Sequence, residues 1–279
     1  MMQRIIFLDV DGTLVDDHGN IPESAKEAVR QARQNGHLVF LSTGRSKAEL
    51  FPDILDVGFD GIIGAAGGYI ELEEEVLYHQ QVSVDDLSHL ISFFTEHGID
   101  FYLESNDGLF AGGNAKTRVA TMIDKLMANN PEASATIERG LKPFHDAMKE
   151  GVDLVRPDVN KISFLGSSVP LDVIQQEFAS RFTVIPSTVA VFGANSGELS
   201  IPGINKATAI ASLLEHLGLE RSQTFAYGDG LNDIEMLEYV EIGVAMGNAK
   251  PEVKRVADDV TDACEADGLA NSFEKYGLI

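Results

Sequence analysis

The sequence contains a single cysteine, Cys264. No intramolecular disulfide is possible, and no cysteine-rich zinc site can form. Uninterrupted apolar runs are short, and none reaches the roughly 18 uncharged residues that a membrane span requires. The opening stretch Met1–Val10 carries Arg4, and its apolar part ends at Asp9. It is too short for the apolar core of a signal peptide, and no small-residue cleavage site follows. Basic residues are scarce: Lys+Arg is 21 against 44 for Asp+Glu, a formal net charge of -23. That balance argues against a nucleic-acid partner, whose phosphate backbone is held by Lys/Arg clusters. It argues equally against docking on an anionic membrane. A small phosphorylated ligand stays open, because a metal or a few local cations can neutralise one phosphate. The expected setting is soluble and cytoplasmic, which the lack of disulfides permits without requiring.

What is present is ordinary globular material, 44% hydrophobic and 23% charged over 279 residues. That length predicts one large domain or two smaller ones, with roughly three quarters of the unfolded surface buried. Arg4–Leu8 is a continuous apolar run rich in β-branched residues, as expected of a strand buried on both faces. Pro22–Asn35 reads as a helix closed by Gly36. His37–Leu41 is a second strand, Ser42–Arg45 the turn after it, and Gly61–Ile63 a third strand before the turn Ala65–Gly68. Strand, helix, strand in this rhythm predicts a parallel sheet with right-handed crossovers.

Around Ser83 the texture changes. Ser83 and Asp86 form a capping box for a helix to His97. Asp100–Glu104 and Gly108–Gly112 read as a hairpin. A helix over Lys116–Asn129, the strand Lys161–Leu165, a helix near Leu171–Arg181, and strands Phe182–Ile185 and Val189–Phe192 follow. After Ser200 the first rhythm returns, with a helix Asn205–Leu217, strands Thr224–Tyr227 and Ile242–Met246, and a helix from Pro251 to Ala257. The expected organisation is a Rossmann-like doubly wound α/β core made of residues 1–82 and 200–279. An inserted α+β domain, 83–199, interrupts it.

Four short stretches carry chemistry. Asp9-Val10-Asp11-Gly12-Thr13-Leu14 follows the first strand, where ligands of α/β sheets gather. Two carboxylates two residues apart at an extended strand end share a side. Ordinary Asp-Gly turn chemistry is the plain alternative. A calcium loop starting at Asp9 fails, because its positions six and twelve are Leu14 and Asn20 rather than Gly and Glu. Gly228-Asp229-Gly230-Leu231-Asn232-Asp233 follows another strand and adds hard oxygen ligands suited to Mg2+. Asn232 serves equally well as a helix cap. Carboxylates converging from both loops would repel one another unless a cation lay between them. Ser42-Thr43-Gly44-Arg45 offers hydroxyls, backbone N–H groups and a guanidinium for an anion, and an N-cap is an equally good account of it. Lys206 opens a helix, where a cation opposes the dipole.

Taken in order, DVDGTL (9–14), STGR (42–45), Lys206 and GDGLND (228–233) resemble the four motifs of the haloacid dehalogenase (HAD) superfamily. The resemblance covers nearly the whole chain. The insert resembles the large cap of the Cof-type (subfamily IIB), sugar-phosphatase-like branch. Two positions depart from the common pattern: Lys206 is followed by Ala207 rather than Gly, and Ala66-Gly67-Gly68 stands where Asn-Gly is frequent.

The resemblance implies a HAD-like core with a cap domain and a Mg2+-dependent phosphatase acting through an aspartyl-phosphate. Asp9 would be the nucleophile and Asp11 the acid and then the base. Mg2+ would be bound by Asp9, the Asp11 carbonyl and Asp229, with Asp233 or Asn232 in direct or indirect contact. Ser42, Thr43, Gly44 and Lys206 would hold phosphate, with Asn205 as a further contact. Arg45 would reach the phosphate or the substrate body. Gly112, Gly113, Asn114, Lys116, Arg118 and Lys161 are candidate cap contacts. The expected partner is a small phosphorylated metabolite, a sugar phosphate or a phosphorylated cofactor. No nucleic-acid or membrane partner is expected, and the protein would be a monomer or weak homodimer. The alternatives are a phosphomutase of the same superfamily, or a non-catalytic sugar-phosphate sensor.

Overall fold

A computed structural model describes residues 3–129, 134–187, 189–193 and 195–279. In chain order the strands are β1 (Ile5–Leu8), β2 (Leu38–Ser42), β3 (Gly61–Gly64), β4 (Tyr69–Leu72), β5 (Glu75–His79), β6 (Asp100–Ser105) and β7 (Leu109–Gly112). They continue with β8 (Met148–Lys149), β9 (Val159–Leu165), β10 (Thr183–Pro186), β11 (Gly197–Ser200), β12 (Thr224–Gly228), β13 (Ile242–Ala245) and β14 (Asp259–Val260). The chain divides into two units. One comprises 1–45, 50–79 and 204–279, and the other 46–49 and 80–203. The sequence placed the junctions at 82/83 and 199/200 and left 46–49 in the core.

The first unit holds an eight-stranded sheet ordered β14-β13-β12-β1-β2-β3-β4-β5. Six strands are parallel, and β4 and β5 add an antiparallel edge. All four residues of β1 are fully buried, as its continuous apolar run predicts. The helix Glu23–Gln34 buries Ala25, Ala28, Val29 and Ala32. That spacing is one face of a helix. The register sets Leu8 beside Leu41 on one side and beside Tyr227 on the other. The carboxyl ends of β1, β2 and β12 therefore finish side by side, and Asp9, Ser42 and Asp229 lie at or just beyond them.

The β4–β5 hairpin is absent from the sequence reading. Glu71 and Glu73–Glu75 obscure its alternation, yet Glu71 is buried and accepts a hydrogen bond from the Tyr69 hydroxyl. The turn before it is strained. Ala65 and Ala66 have φ of 51° and 54°, a left-handed conformation that costs a residue with a Cβ roughly 1–2 kcal/mol. Gly67 follows at φ 107°, and a Cβ there would lie 2.3 Å from the Asn205 carbonyl oxygen. Glycine is required at 67 for that close approach. At 66 alanine is merely tolerated, so Ala66→Gly is expected to raise the thermal midpoint by a few degrees, on the order of 1 kcal/mol. A lower midpoint would show that the alanine methyl contributes more packing than the backbone costs.

The second unit holds a six-stranded sheet, β10-β11-β9-β6-β7-β8, antiparallel except for the β7–β8 pair. Its two faces follow the alternation of β6. Phe101 and Leu103 pack with Phe94, Phe164 and Phe178 under the helices Val84–Glu96 and Leu171–Phe178. Phe94 meets Phe101 and Phe164 edge-on at 5.3 and 5.6 Å. Tyr102 faces the other way, with Ala115, Val119 and Ile123 of the helix Ala115–Asn129. Of the capping box expected at Ser83 the N-cap half is formed, the Ser83 hydroxyl accepting from the Asp86 N–H at 3.1 Å, while the Asp86 carboxylate takes the Ser83 hydroxyl rather than the Ser83 N–H. The strand expected at Val189–Phe192 is instead a 3-10 turn, Ala190–Phe192, closed by a bond from the Phe192 N–H to the Val189 carbonyl.

Several expected cap contacts are occupied within this unit. Arg118 bonds Asp100 and the Gly166 carbonyl, and Lys116 bonds the Met148 carbonyl. The Asn114 N–H caps the Asp100 carboxylate at 2.8 Å. Lys161 is buried between Glu198 at 3.0 Å and Glu104 at 3.2 Å. Arg118 and Lys161 thus offset carboxylates of their own unit, and Lys116 is held by a backbone carbonyl. No helix among the described residues is long and apolar enough to cross a membrane.

Candidate active site

Asp9 leaves β1 with its N–H bonded to the Tyr227 carbonyl of the neighbouring β12 at 3.0 Å. Its side chain is 7% exposed. Oδ1 accepts from the Lys206 ammonium at 2.6 Å, and the same ammonium lies 2.5 Å from Asp233 Oδ1. Lys206 reaches inward from the first turn of the helix Lys206–Leu217, whose N-cap is Asn205. The ammonium is therefore spent on two carboxylates, which offsets its unfavourable place at a helix N-terminus.

Asp233 braces its own loop. Oδ2 accepts from the N–H groups of Asp229 and Gly230 at 3.0 and 2.9 Å. Gly228 has no room for a side chain, since a Cβ there would lie 2.6 Å from Asp233 Cβ. Asp229 faces the first motif in the same way: a Cβ on Gly12 (φ 80°) would lie 2.4 Å from Asp229 Oδ2. Gly12 thus lets the two acidic loops close on each other, and Gly228 lets Asp233 fold back on its own loop. Asp9, Asp229 and Asp233 each present an oxygen within 4.8 Å of the others.

The electrostatics match that crowding. Burial pushes the Asp9 carboxyl well above the usual range, Asp233 adds to it, Lys206 opposes and Asp11 adds again. Burial also raises Asp229, to about 7, with Asp233 adding to the shift and Lys206 opposing it. Burial alone would lower Lys206, but Asp233 and Asp9 outweigh it and hold the ammonium above its ordinary value. One buried cation does not neutralise this set of carboxylates, and hard oxygen donors so gathered suit a divalent ion such as Mg2+.

The second motif divides into different parts. Ser42 Oγ is buried and has no hydrogen-bond partner, an arrangement that awaits an acceptor or donor. Thr43 instead spends its hydroxyl on the Arg45 N–H at 3.1 Å, which leaves it a turn-former. Gly44 is half-buried, and a Cβ there would meet Asn232 Nδ2 only at 3.7 Å. Asn232 is exposed. Asn205, expected at the phosphate, accepts the Thr208 N–H on Oδ1 at 2.9 Å and so caps its helix. Arg45, expected at the substrate, forks onto Asp11. One contributor escaped the sequence reading. Asn248 donates to the Gly12 carbonyl at 2.8 Å and accepts the Cys264 N–H at 3.0 Å, tying the first motif to the loop after β13. Its only signal was Gly247-Asn248 just past a strand.

A parallel sheet with a buried carboxylate after β1, a facing acidic loop after β12 and a lysine between them defines a HAD-type core. The chain belongs to the haloacid dehalogenase-like hydrolases, whose family model matches residues 6–273, and is an enzyme of that family. Bacillus subtilis YkrA is 30% identical over 287 residues, spanning 100% of both chains. The phosphatase YwpJ of the same organism is 25% identical, over 97% of this chain and 99% of its own. Among solved structures, the phosphatase BT1666 of Bacteroides thetaiotaomicron is 25% identical, with a TM-score of 0.77 over 100% of this chain and 96% of that one.

Proposed function

We propose that the protein is a Mg2+-dependent phosphatase of small phosphorylated metabolites, working through an aspartyl-phosphate on Asp9. The observation that carries this reading is the buried Asp9 carboxylate, held at 2.6 Å by Lys206 beside the carboxylates of Asp229 and Asp233. Asp9 attacks phosphorus, forming an Oδ–P bond as the ester P–O bond breaks. Asp11 gives its proton to the departing oxygen, then takes one from the water that attacks the aspartyl-phosphate. Water oxygen ends on phosphorus, and inorganic phosphate leaves a regenerated Asp9. Lys206 holds Asp9 in line throughout, and Ser42 Oγ with the Gly44 N–H receives the phosphoryl oxygens.

Asp9, Asp229 and the Asp11 carbonyl would hold the metal. Asp233, already bonded to Lys206 and two backbone N–H groups, supports them from behind, with Asn232 beside it. A bound Mg2+ supplies positive charge that lets an anionic carboxylate meet an anionic phosphate.

For substrate, sugar phosphates and phosphorylated cofactors fit the reading. Two Bacillus subtilis relatives, YcsE and YitU, each 27% identical, are 5-amino-6-(5-phospho-D-ribitylamino)uracil phosphatases. The test is phosphate release from hexose phosphates, ribityl phosphates, pyridoxal phosphate and FMN, with Mg2+ and with EDTA. Release is expected to fall at least about 100-fold in EDTA and to return with Mg2+. Full turnover in EDTA would contradict the metal site. Transfer of phosphate within a sugar, without net release, would make the protein a mutase.

A further inference from the structure

Arg45 is built into the site as part of its first motif rather than as a free hand for substrate. Its guanidinium takes Asp11 side-on, Nε donating to Oδ2 at 2.9 Å and Nη2 to Oδ1 at 2.6 Å. Two parallel N–H···O bonds fix the plane of a carboxylate as well as its place, which a point charge does not do. The backbones on both sides are pinned. The Arg45 carbonyl accepts the Ala65 N–H at 2.7 Å, and its N–H is held by Thr43 Oγ1. On the other strand, the Gly12 N–H bonds the Val15 carbonyl at 2.7 Å, and Asn248 holds the Gly12 carbonyl. The left-handed Ala65 and Ala66 belong to this scaffold, since their N–H groups carry the Arg45 and Thr43 carbonyls. Local strain tied to a site residue signals a position the fold maintains for use. The Asp11 side chain itself is 63% exposed, so the fork restricts a carboxyl that would otherwise sample several rotamers.

We propose that Arg45 is a positioning residue for Asp11, holding its carboxyl in the orientation that delivers a proton to the leaving oxygen. This rests on the reading above. In that step Asp9 Oδ bonds to phosphorus, the P–O ester bond breaks, and the Asp11 proton passes to the departing oxygen. An alkyl phosphate needs that proton, because a bare alkoxide leaves poorly. Para-nitrophenyl phosphate does not, because its phenolate departs as the anion. Loss of orientation therefore damages one substrate and spares the other. Loss of a phosphate-binding group damages both alike.

The experiment measures kcat/KM of Arg45→Gln and Arg45→Lys on an alkyl phosphate and on para-nitrophenyl phosphate, with Asp11→Asn and Asp9→Asn alongside. The parameter kcat/KM reports the step that transfers phosphorus to Asp9, whichever later step limits kcat. Arg45→Gln is expected to lose on the order of 100-fold on the alkyl ester and less than about tenfold on the aryl ester. The loss should follow the selectivity of Asp11→Asn. Arg45→Lys, which keeps charge without the fork, should fall between wild type and Arg45→Gln. It also serves as the second variant should Arg45→Gln fail to fold by circular dichroism.

Equal losses on both esters in the Arg45 variants, with a selective loss in Asp11→Asn, would overturn this inference and leave the reading of the reaction standing. So would a rise in KM alone. Selectivity absent from Asp11→Asn as well, or turnover surviving in Asp9→Asn, would overturn the reading itself.

Discussion

Lys206→Met is expected to stop turnover and to lower stability together. The ammonium is 1% exposed and lies 2.6 and 2.5 Å from two carboxylates that are themselves buried. Methionine matches the stem but leaves Asp9 and Asp233 facing each other with nothing between. Removing one partner from a buried ion cluster typically costs about 3–5 kcal/mol, because the remaining charge is stranded. Activity should fall by at least the 10²–10³-fold, roughly, seen when a single preorganised electrostatic group is lost. The Lys206 pKa is raised in the folded protein. Its stabilising contribution is therefore complete below the unfolded lysine value of about 10.4 and constant through neutral pH. The thermal midpoint in EDTA and phosphate release in Mg2+ are the two readouts. Adding Asp233→Asn should recover part of the stability and none of the turnover, since it removes the stranded repulsion without restoring the hold on Asp9. A Lys206→Met protein that melts with the wild type would show that the cluster contributes nothing to the fold.

This lysine also marks how far the sequence carries. Local rules reach the strand runs, because β1 is apolar at every position and buried at every position. They reach the placement of Asp9, Asp11 and Asp229 just beyond the carboxyl ends of β1 and β12, where a parallel sheet gathers ligands. Lys206 took its meaning from the order of the motifs. Its two partners, 197 and 27 residues away, are brought to it by strand order rather than by any pattern around it. Arg45 and Asn248 are harder still. Arginine three residues past a strand is compatible with a substrate contact and with a fork onto Asp11, and the fork becomes visible only once β2 is set beside β1. Asn248 reads as a turn residue until β13 is placed beside β12. The β4–β5 hairpin was lost for another reason. Its acidic residues suppress the apolar alternation, and a buried Glu71 bonded to Tyr69 is a tertiary solution that no local propensity announces. Asn205 is the reverse case, a residue credited with ligand binding whose side-chain oxygen is committed to its own helix.

Asp9→Asn should separate function from stability in the opposite sense to Lys206→Met. Loss of the carboxylate nucleophile is expected to reduce phosphate release by at least about 10⁴-fold. The fold should not suffer. Burial first, and Asp233 next, push the Asp9 carboxyl well up, with Lys206 only partly opposing them. A carboxyl whose folded pKa is raised binds more protons folded than unfolded, so above the unfolded carboxyl value it subtracts from stability. Asparagine keeps an acceptor for the Lys206 ammonium and carries no charge to bury. In EDTA the variant is therefore expected to melt at or above the wild-type temperature. Mg2+ should reverse the ranking, raising the wild type more than the variant, because a ligand stabilises only the protein that binds it. A variant that is inactive and also melts well below wild type in EDTA would mean that the ionised Asp9 holds the core together. Its crowding with Asp229 and Asp233 would then be architecture rather than a cation site. A variant that is inactive, stable in EDTA and indifferent to Mg2+ ties the lost chemistry to the carboxylate that binds the metal and attacks the phosphate.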